Sequence, residues 1–314
     1  MPAARLSCRH LFGIEPLSIE ELELILDTAK SFQKVHEQPL KKLATLRGKT
    51  VLLAFFEAST RTMTSFSLAA QRLGADVIPF VSSGSSVSKG ESLTDTLLTL
   101  EALKPDGLVL RHAASGSPEF VARHLKIPVI NAGDGLHEHP TQALLDALTI
   151  RDHKARLTGL KVAIVGDVQH SRVARSNVHL LAKFGSQVTL CGPPSWLPPF
   201  FASLAPNVRL SHRLDEALTD ADVVMALRVQ SERRAGDIFP VDEYAREFQL
   251  TRSRLKRAKP DAIIMHPGPM NRGLEIDSEV ADGTQSVVLE QVTNGLAVRM
   301  ALLFLLLGST HAAD

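Results

Sequence analysis

The stretch Thr50-Val51-Leu52-Leu53-Ala54-Phe55-Phe56-Glu57-Ala58-Ser59-Thr60-Arg61-Thr62 decides how this chain is read. Its opening run follows Gly48, is short and almost wholly apolar, and shows no alternation, so it reads as a strand buried on both faces. Polarity then changes abruptly: a carboxylate, three hydroxyls and a guanidinium fall within residues 57–62. Helical spacing resumes from Ser65 to Leu73, and Gly74 ends it. A buried strand that delivers polar residues to the start of a helix is the repeating unit of a parallel α/β sheet.

Working outward, the same unit recurs. On the N-terminal side, Ser18 with Glu20 and Glu21 opens a helix through Leu22, Leu24, Ile25 and Leu26, its acids placed in the first turn. On the other side, Asp76 to Phe80, Gly107 to Leu110 and Pro128 to Ala132 read as strands, and Leu93 to Leu103, Pro118 to His124 and Pro140 to Arg151 as helices. A second series follows, with strands at Lys161 to Gly166, Gln187 to Cys191, Asp222 to Ala226 and Asp261 to Met265, and a helix from Ser171 to Phe184. The predicted fold is α/β with two domains, each a mostly parallel sheet flanked by helices. The boundary is set in or just after the Pro140 helix, giving residues 1–145 and 146–290. Residues 291–314 hold a last helix, Val292 to Leu307, so apolar that it is expected to pack back on the first domain.

Composition narrows the function classes. Of 314 residues, 35 are Lys or Arg and 34 Asp or Glu, so no global basic field exists to hold nucleic acid and an anion site must be built locally. Cys8 and Cys191 lie far apart without metal spacing, which fits a reducing cytoplasm. Met1 to His10 has no apolar core of signal-peptide type, and the apolar run Met300 to Leu307 falls short of the ~20 residues that span a bilayer. Neither a leader nor a membrane span is expected.

The polar clusters follow strands, where parallel sheets bind ligands: Ser59 to Thr62, Arg111-His112, residues 137–142, residues 167–172, Arg228-Val229-Gln230, and His266-Pro267-Gly268-Pro269. Hydroxyls and a guanidinium at a helix start suit an anion, although a plain Ser/Thr N-cap explains one hydroxyl as well. His137, Glu138 and His139 raise a metal site, but adjacent ligands on one short stretch cannot readily all face one ion, and no metal is expected. Val162 to Asp167 has the first glycine of a dinucleotide turn but lacks the later ones. By composition, Ser82 to Lys89 is a solvated, mobile loop and Lys89 a surface charge.

Taken together, Phe56-Glu57-Ala58-Ser59-Thr60-Arg61-Thr62 with Ser65-Phe66 resembles the phosphate-binding signature of the carbamoyltransferase family, and His139-Pro140-Thr141-Gln142 resembles its second motif. The likeness runs in family order over nearly the whole chain. It implies a carbamoyl-phosphate domain followed by an amino-acid domain, and a homotrimer with shared active sites. Ser85 and Lys89 match the loop that enters a neighbouring subunit's site. Arg172 and Arg228 match two carboxylate clamps, as an aspartate acceptor needs, and His266-Pro267-Gly268-Pro269 has the aspartate-branch form, not the His-Cys-Leu-Pro of the ornithine branch. Residues 270–276 resemble bacterial members.

The resemblance implies transfer of the carbamoyl group from carbamoyl phosphate to L-aspartate, the second step of de novo pyrimidine biosynthesis. No cofactor, metal or covalent nucleophile is implied. Ser59, Thr60, Arg61, Thr62 and Arg111 would hold phosphate; Thr62, Arg111 and His139 would face the carbonyl oxygen, with Arg61 as a further catalytic residue. Gln142 and the backbone around Pro267, Gly268 and Pro269 would orient the carbamoyl amide. Arg172, Arg228 and Gln230 would hold aspartate, while Ser85 and Lys89 close the site. Whether a regulatory or dihydroorotase-type chain binds stays open. Two positions depart from the family: Met63 stands where Arg is usual and Ser67 where Glu is usual, spaced i, i+4 for an exposed pair of small effect.

Overall fold

The structure is a computed structural model and describes residues 6–81, 92–230 and 240–308. Contacts divide the chain into two compact units, one taking residues up to Leu145 and again from Thr293, the other Asp146–Val292.

In the first unit, β1 (Thr50–Phe55), β2 (Asp76–Val81), β3 (Gly107–His112) and β4 (Val129–Asp134) form one parallel sheet in the order β2-β1-β3-β4. The central strands are buried on both faces, which is why they read as unbroken apolar runs. Helices α1 (Ile19–His36), α2 (Thr60–Arg72), α3 (Leu93–Glu101) and α4 (Ser117–Ala122) belong to this unit. A capping box starts α1: Ser18 Oγ accepts from the Glu21 N–H at 3.2 Å, and Glu21 Oε2 accepts from the Ser18 N–H at 3.0 Å. The following helix, α2, begins five residues before the apolar spacing reveals it, because its first turn is polar. The N-terminal segment also lies along β4, with the Leu11 N–H donating to the Val129 carbonyl at 2.9 Å.

In the second unit, β5 (Lys161–Val165), β6 (Gln187–Cys191), β7 (Val208–Ser211), β8 (Val223–Ala226) and β9 (Ile263–Met265) form a parallel sheet in the order β7-β6-β5-β8-β9. The edge strand β7 is short and mostly half-exposed, so it carries no apolar run and escapes a sequence reading. Trp196, Tyr244 and Phe248 stack in its core. Helix α6 (Arg172–Lys183) follows β5, with Ser171 Oγ accepting from the Ala174 N–H; α7 (Leu214–Leu218), α8 (Val241–Phe248), α9 (Arg252–Leu255) and α10 (Ser278–Ala281) also belong to this unit.

Two helices run through the division of the chain: α5 (Pro140–Lys154) and α11 (Val288–Leu307). Every residue from 141 to 150 is buried, so α5 is buried on all sides and carries Asp146 and Thr149 fully buried among its apolar residues. The 20-residue α11 is long and apolar enough to cross a membrane, but Val298, Met300, Ala301, Leu302 and Leu303 are fully buried within the protein. It packs on the first unit: Phe304 meets Phe32 of α1 edge-on at 5.9 Å, and Arg299 Nη1 donates to Ser65 Oγ of α2 at 2.8 Å. The C-terminal helix thus returns to the first sheet's unit, as its composition demands.

Candidate active site

Strand order gathers the candidate residues of the first unit. Strands β1, β3 and β4 are parallel neighbours, so the turns that follow them emerge side by side. Chain order reverses between β1 and β3, since β2 lies beyond β1; such a reversal leaves a crevice at the strand ends. Ser59 to Thr62 follow β1, and Arg111, in register with Phe55, ends β3. His139 and Gln142 start α5 just after β4.

Ser59 occupies the N-cap position of α2, yet its side chain makes no cap hydrogen bond and donates instead to Thr62 Oγ1 at 3.0 Å. The N-cap explanation of this hydroxyl therefore fails. Thr62 is buried, whereas Thr60 and Arg61 are exposed at the helix start. First-turn amides, the positive end of the helix dipole and an exposed guanidinium make an anion receptor. Arg111 is buried and held from two sides, by Glu57 Oε1 at 2.5 Å and by the Ala132 carbonyl at 3.2 Å. Beside it, His112 Nδ1 accepts from the Ala114 N–H at 2.9 Å, and burial holds its pKa below the usual imidazole value.

The turn that carries His139 is organised by Asp134, whose fully buried carboxylate serves four groups. Oδ1 accepts from Asn131 Nδ2 at 2.7 Å and the Glu138 N–H at 3.2 Å; Oδ2 meets the Gly116 N–H at 2.6 Å and His137 Nδ1 at 3.0 Å. Glu138 points away from any ion site and accepts the Ile14 N–H at 2.9 Å. Among the described residues no group of three or more His, Cys, Asp or Glu is placed to hold a metal. His139 is buried, with Nδ1 3.5 Å from Thr141 Oγ1, and the Gln142 N–H donates to its carbonyl at 2.9 Å.

In the second unit the reversal falls between β5 and β8. Here Gly166 takes φ +135° within 2.9 Å of the Leu227 carbonyl, measured from where a Cβ would stand, so a side chain would meet that backbone. Arg172 opens α6 after β5 and is buried; Arg228 and Gln230 follow β8; Gly268 and Pro269 follow β9 and are joined by a cis peptide bond. Asp167, fully buried, ties the turns after β5 and β8 together: Oδ1 meets His170 Nδ1 at 2.8 Å, and Oδ2 accepts from the Gln230 N–H at 3.4 Å. Its pKa is raised by burial, against the lowering pull of His170. Gln230 Nε2 also donates to the His170 carbonyl at 3.0 Å.

Sequence reasoning gave no role to Glu57, Asp134 or Glu275. Asp134 carries the one signal that was available, an acid at the end of an apolar strand. Ser85 and Lys89 lie outside the described residues. Met63 and Ser67 are half-buried and line a groove with Leu53, Leu68 and Pro79, a less exposed setting than expected, because α2 packs this face toward β1 and β2.

Known proteins match the chain in two consecutive parts. Residues 9–152 match the family model described as aspartate/ornithine carbamoyltransferase, carbamoyl-P binding domain, and residues 158–306 match the Asp/Orn binding domain. The chain is 61% identical over 298 residues to an aspartate carbamoyltransferase catalytic subunit from Solibacter usitatus, covering 95% of this chain and 99% of that one. It is 56% identical over 307 residues to a protein of the same description from Syntrophotalea carbinolica, covering 98% and 97%. Among solved structures it resembles the Pyrococcus furiosus ornithine carbamoyltransferase (TM-score 0.87, 30% identity, covering 98% and 99%). It resembles equally the Trypanosoma cruzi aspartate transcarbamoylase in complex with N-(phosphonacetyl)-L-aspartic acid (TM-score 0.87, 30% identity, covering 95% of each chain). With both halves matched in order and relatives well above half identical along its length, the chain belongs to the aspartate/ornithine carbamoyltransferase family.

Proposed function

We propose that this protein transfers the carbamoyl group of carbamoyl phosphate to the amino group of L-aspartate, giving N-carbamoyl-L-aspartate and phosphate, an early step of pyrimidine biosynthesis. The observation that carries the reading is the pairing, in one chain, of an uncapped helix start after β1 with arginines 172 and 228 at the second sheet's reversal. The fold alone does not separate the two acceptors, since solved structures of both kinds match it equally well. The segment 266–269, which has Pro267 where the ornithine branch has Cys, and the identity to aspartate-branch relatives favour aspartate.

In this reading the first-turn amides of α2, Ser59, Thr60, Arg61, Thr62 and Arg111 bind the phosphate group. Thr62, Arg111 and His139 stabilise the charge that grows on the carbonyl oxygen. Gln142 and the backbone near Gly268 and Pro269 orient the carbamoyl amide. Arg172, Arg228 and Gln230 hold the two carboxylates of aspartate in the orientation for attack. The aspartate nitrogen forms a bond to the carbonyl carbon, the bond from that carbon to the phosphate oxygen breaks, and the departing phosphate takes the amine proton. Ser85 and Lys89 are assigned to a neighbouring subunit's site in a homotrimer. A cytoplasmic location is consistent with two free thiols, Cys8 and Cys191, whose pKa values burial pushes up to about 11 and about 12.

The test is product formation by the purified protein with carbamoyl phosphate and either aspartate or ornithine, together with its mass in solution. Product with aspartate and a mass of at least a trimer are expected; whether a regulatory or dihydroorotase-type chain also binds is read by adding such a chain and measuring the mass again. Absence of N-carbamoyl-aspartate would overturn the reading. Mixed trimers of Arg61→Ala and Lys89→Ala chains should regain activity; no recovery would count against shared sites.

A further inference from the structure

Behind the 266–269 turn lies a polar web that the proposed chemistry does not use. The side chains of His266 and Glu275 are both fully buried. The Gly268 N–H donates to His266 Nδ1 at 2.8 Å, which leaves the ring proton on Nε2, 3.1 Å from Glu275 Oε1. The same carboxylate oxygen accepts from the Asn271 N–H at 2.5 Å. Asn271 Nδ2 in turn donates to the carbonyl of Val229, between Arg228 and Gln230, at 3.3 Å. On the other side of the imidazole residue, the His266 N–H donates to Gln291 Oε1 at 2.9 Å, and Gln291 Nε2 to Asp146 Oδ1 at 2.7 Å. Asp146 Oδ2 accepts from Asn177 on α6, the helix that Arg172 opens, at 2.9 Å. All the segments that carry acceptor-side residues are thus cross-tied through buried and half-buried side chains.

Glu275 is a costly choice for a merely structural tie. Its Oε2 is buried with no hydrogen-bond partner, and a carboxylate shut away from water with an unsatisfied oxygen destabilises a fold. We propose that Glu275, acting through His266 and Asn271, is a positioning residue that holds the Gly268-Pro269 turn and the Arg228–Gln230 segment in one register and so sets affinity for the dicarboxylate acceptor. The inference rests on the assignment of aspartate to this unit. It also accounts for retention of the carboxylate. One oxygen takes two N–H groups from different turns, and displacing either ligand-bearing segment by about 1 Å is enough to cost a large factor in rate.

The experiment compares the parent enzyme with Glu275→Ala, Glu275→Gln and Asn271→Ala. Steady-state kinetics are read against aspartate, and inorganic phosphate binding is read by calorimetry. Glu275→Ala is expected to raise the aspartate KM about tenfold by leaving the buried His266 ring N–H and the part-buried Asn271 N–H unpaired, with the phosphate Kd unchanged. Glu275→Gln keeps an acceptor in place and is expected to recover most of that loss; Asn271→Ala should fall between. An unchanged aspartate KM in Glu275→Ala overturns the inference, as does equal weakening of phosphate binding, which would mark general damage. If Glu275→Gln is as impaired as Glu275→Ala, the hydrogen-bonding account is wrong. If Glu275→Ala does not fold, Asn271→Ala decides, and an unchanged aspartate KM there overturns the proposal. A parent enzyme inactive with aspartate overturns the acceptor assignment and this inference with it. An active parent with an unaffected Glu275→Ala variant overturns the inference alone.

Discussion

Arg111 Nη2 donates to Glu57 Oε1 at 2.5 Å, joining the end of β3 to the turn after β1. With Nη1 on the Ala132 carbonyl, the plane of the guanidinium is fixed before any phosphate arrives. Glu57→Ala should therefore loosen Arg111, raising the carbamoyl phosphate KM about tenfold and destabilising the protein by about 1–3 kcal/mol. Glu57→Gln, which keeps an acceptor, should lose much less. Kinetics and thermal melts of both variants check this.

Arg61 is exposed at the start of α2. Arg61→Ala should keep the parent melting temperature while kcat falls by about 10²–10³-fold, the scale for losing one donor to developing charge. A folded variant with near-parent turnover would remove Arg61 from the site.

Gly295 stands inside α11, where alanine would ordinarily gain about 1 kcal/mol. A Cβ there would lie 2.6 Å from Arg299 Nη1 and 3.0 Å from Leu145 Cδ2. That guanidinium is buried, bonded to Ser65 and set 5.2 Å over the Phe66 ring, so it cannot shift without losing both contacts. Gly295→Ala should lower the melting temperature rather than raise it, and Ser65→Ala should reduce that loss in a double-mutant cycle.

Met63 and Ser67 share a groove wall to which residues 59–62 do not contribute. Restoring the family pair with Met63→Arg and Ser67→Glu together should leave turnover within about threefold, a change of under about 1 kcal/mol in the barrier. A tenfold gain in kcat with Met63→Arg alone would show that the departure affects chemistry.

Burial lowers the pKa of His10, His36 and His112 from the ordinary 6.5. Their folded values lie below the unfolded one, so the unfolded chain binds more protons between the two. The stability they contribute is complete above about pH 6.5 and is lost as pH falls through that value. Asp167, raised by burial from its ordinary 3.8, works oppositely. Melting temperature should therefore drop between pH 7.5 and about 5.5. His112→Asn, which sets an amide oxygen where Nδ1 accepts from Ala114, should flatten the slope.

Much of the fold was legible in the chain. Buried strands announce themselves as apolar runs because helices cover both sheet faces, so the strand Gln187–Cys191 falls where the pattern put it. The strand β7 was missed because an edge strand that is half-exposed carries no such run. The opening of α2 at residues 59–62 is read from its polar residue types, since periodicity marks only residues that face the core and so begins at Ser65. Among candidate site residues, those placed after strands could be named from their position. Glu57, Asp134 and Glu275 could not, since each works on a backbone or side-chain group distant from it in sequence or hidden in the same turn.

The sequence by itself determined the α/β class, the division into two series, and the chemistry available at each strand end, because burial pattern and residue type are local properties. Only the tertiary structure decided which strand ends are neighbours. The orders β2-β1-β3-β4 and β7-β6-β5-β8-β9 set Ser59 to Thr62 beside Arg111, and Arg172 in the segment beside Arg228. That choice depends on how the strands pair across long loops, and on buried carboxylates such as Asp134, Asp167 and Glu275 that fix the turns once the strands have paired.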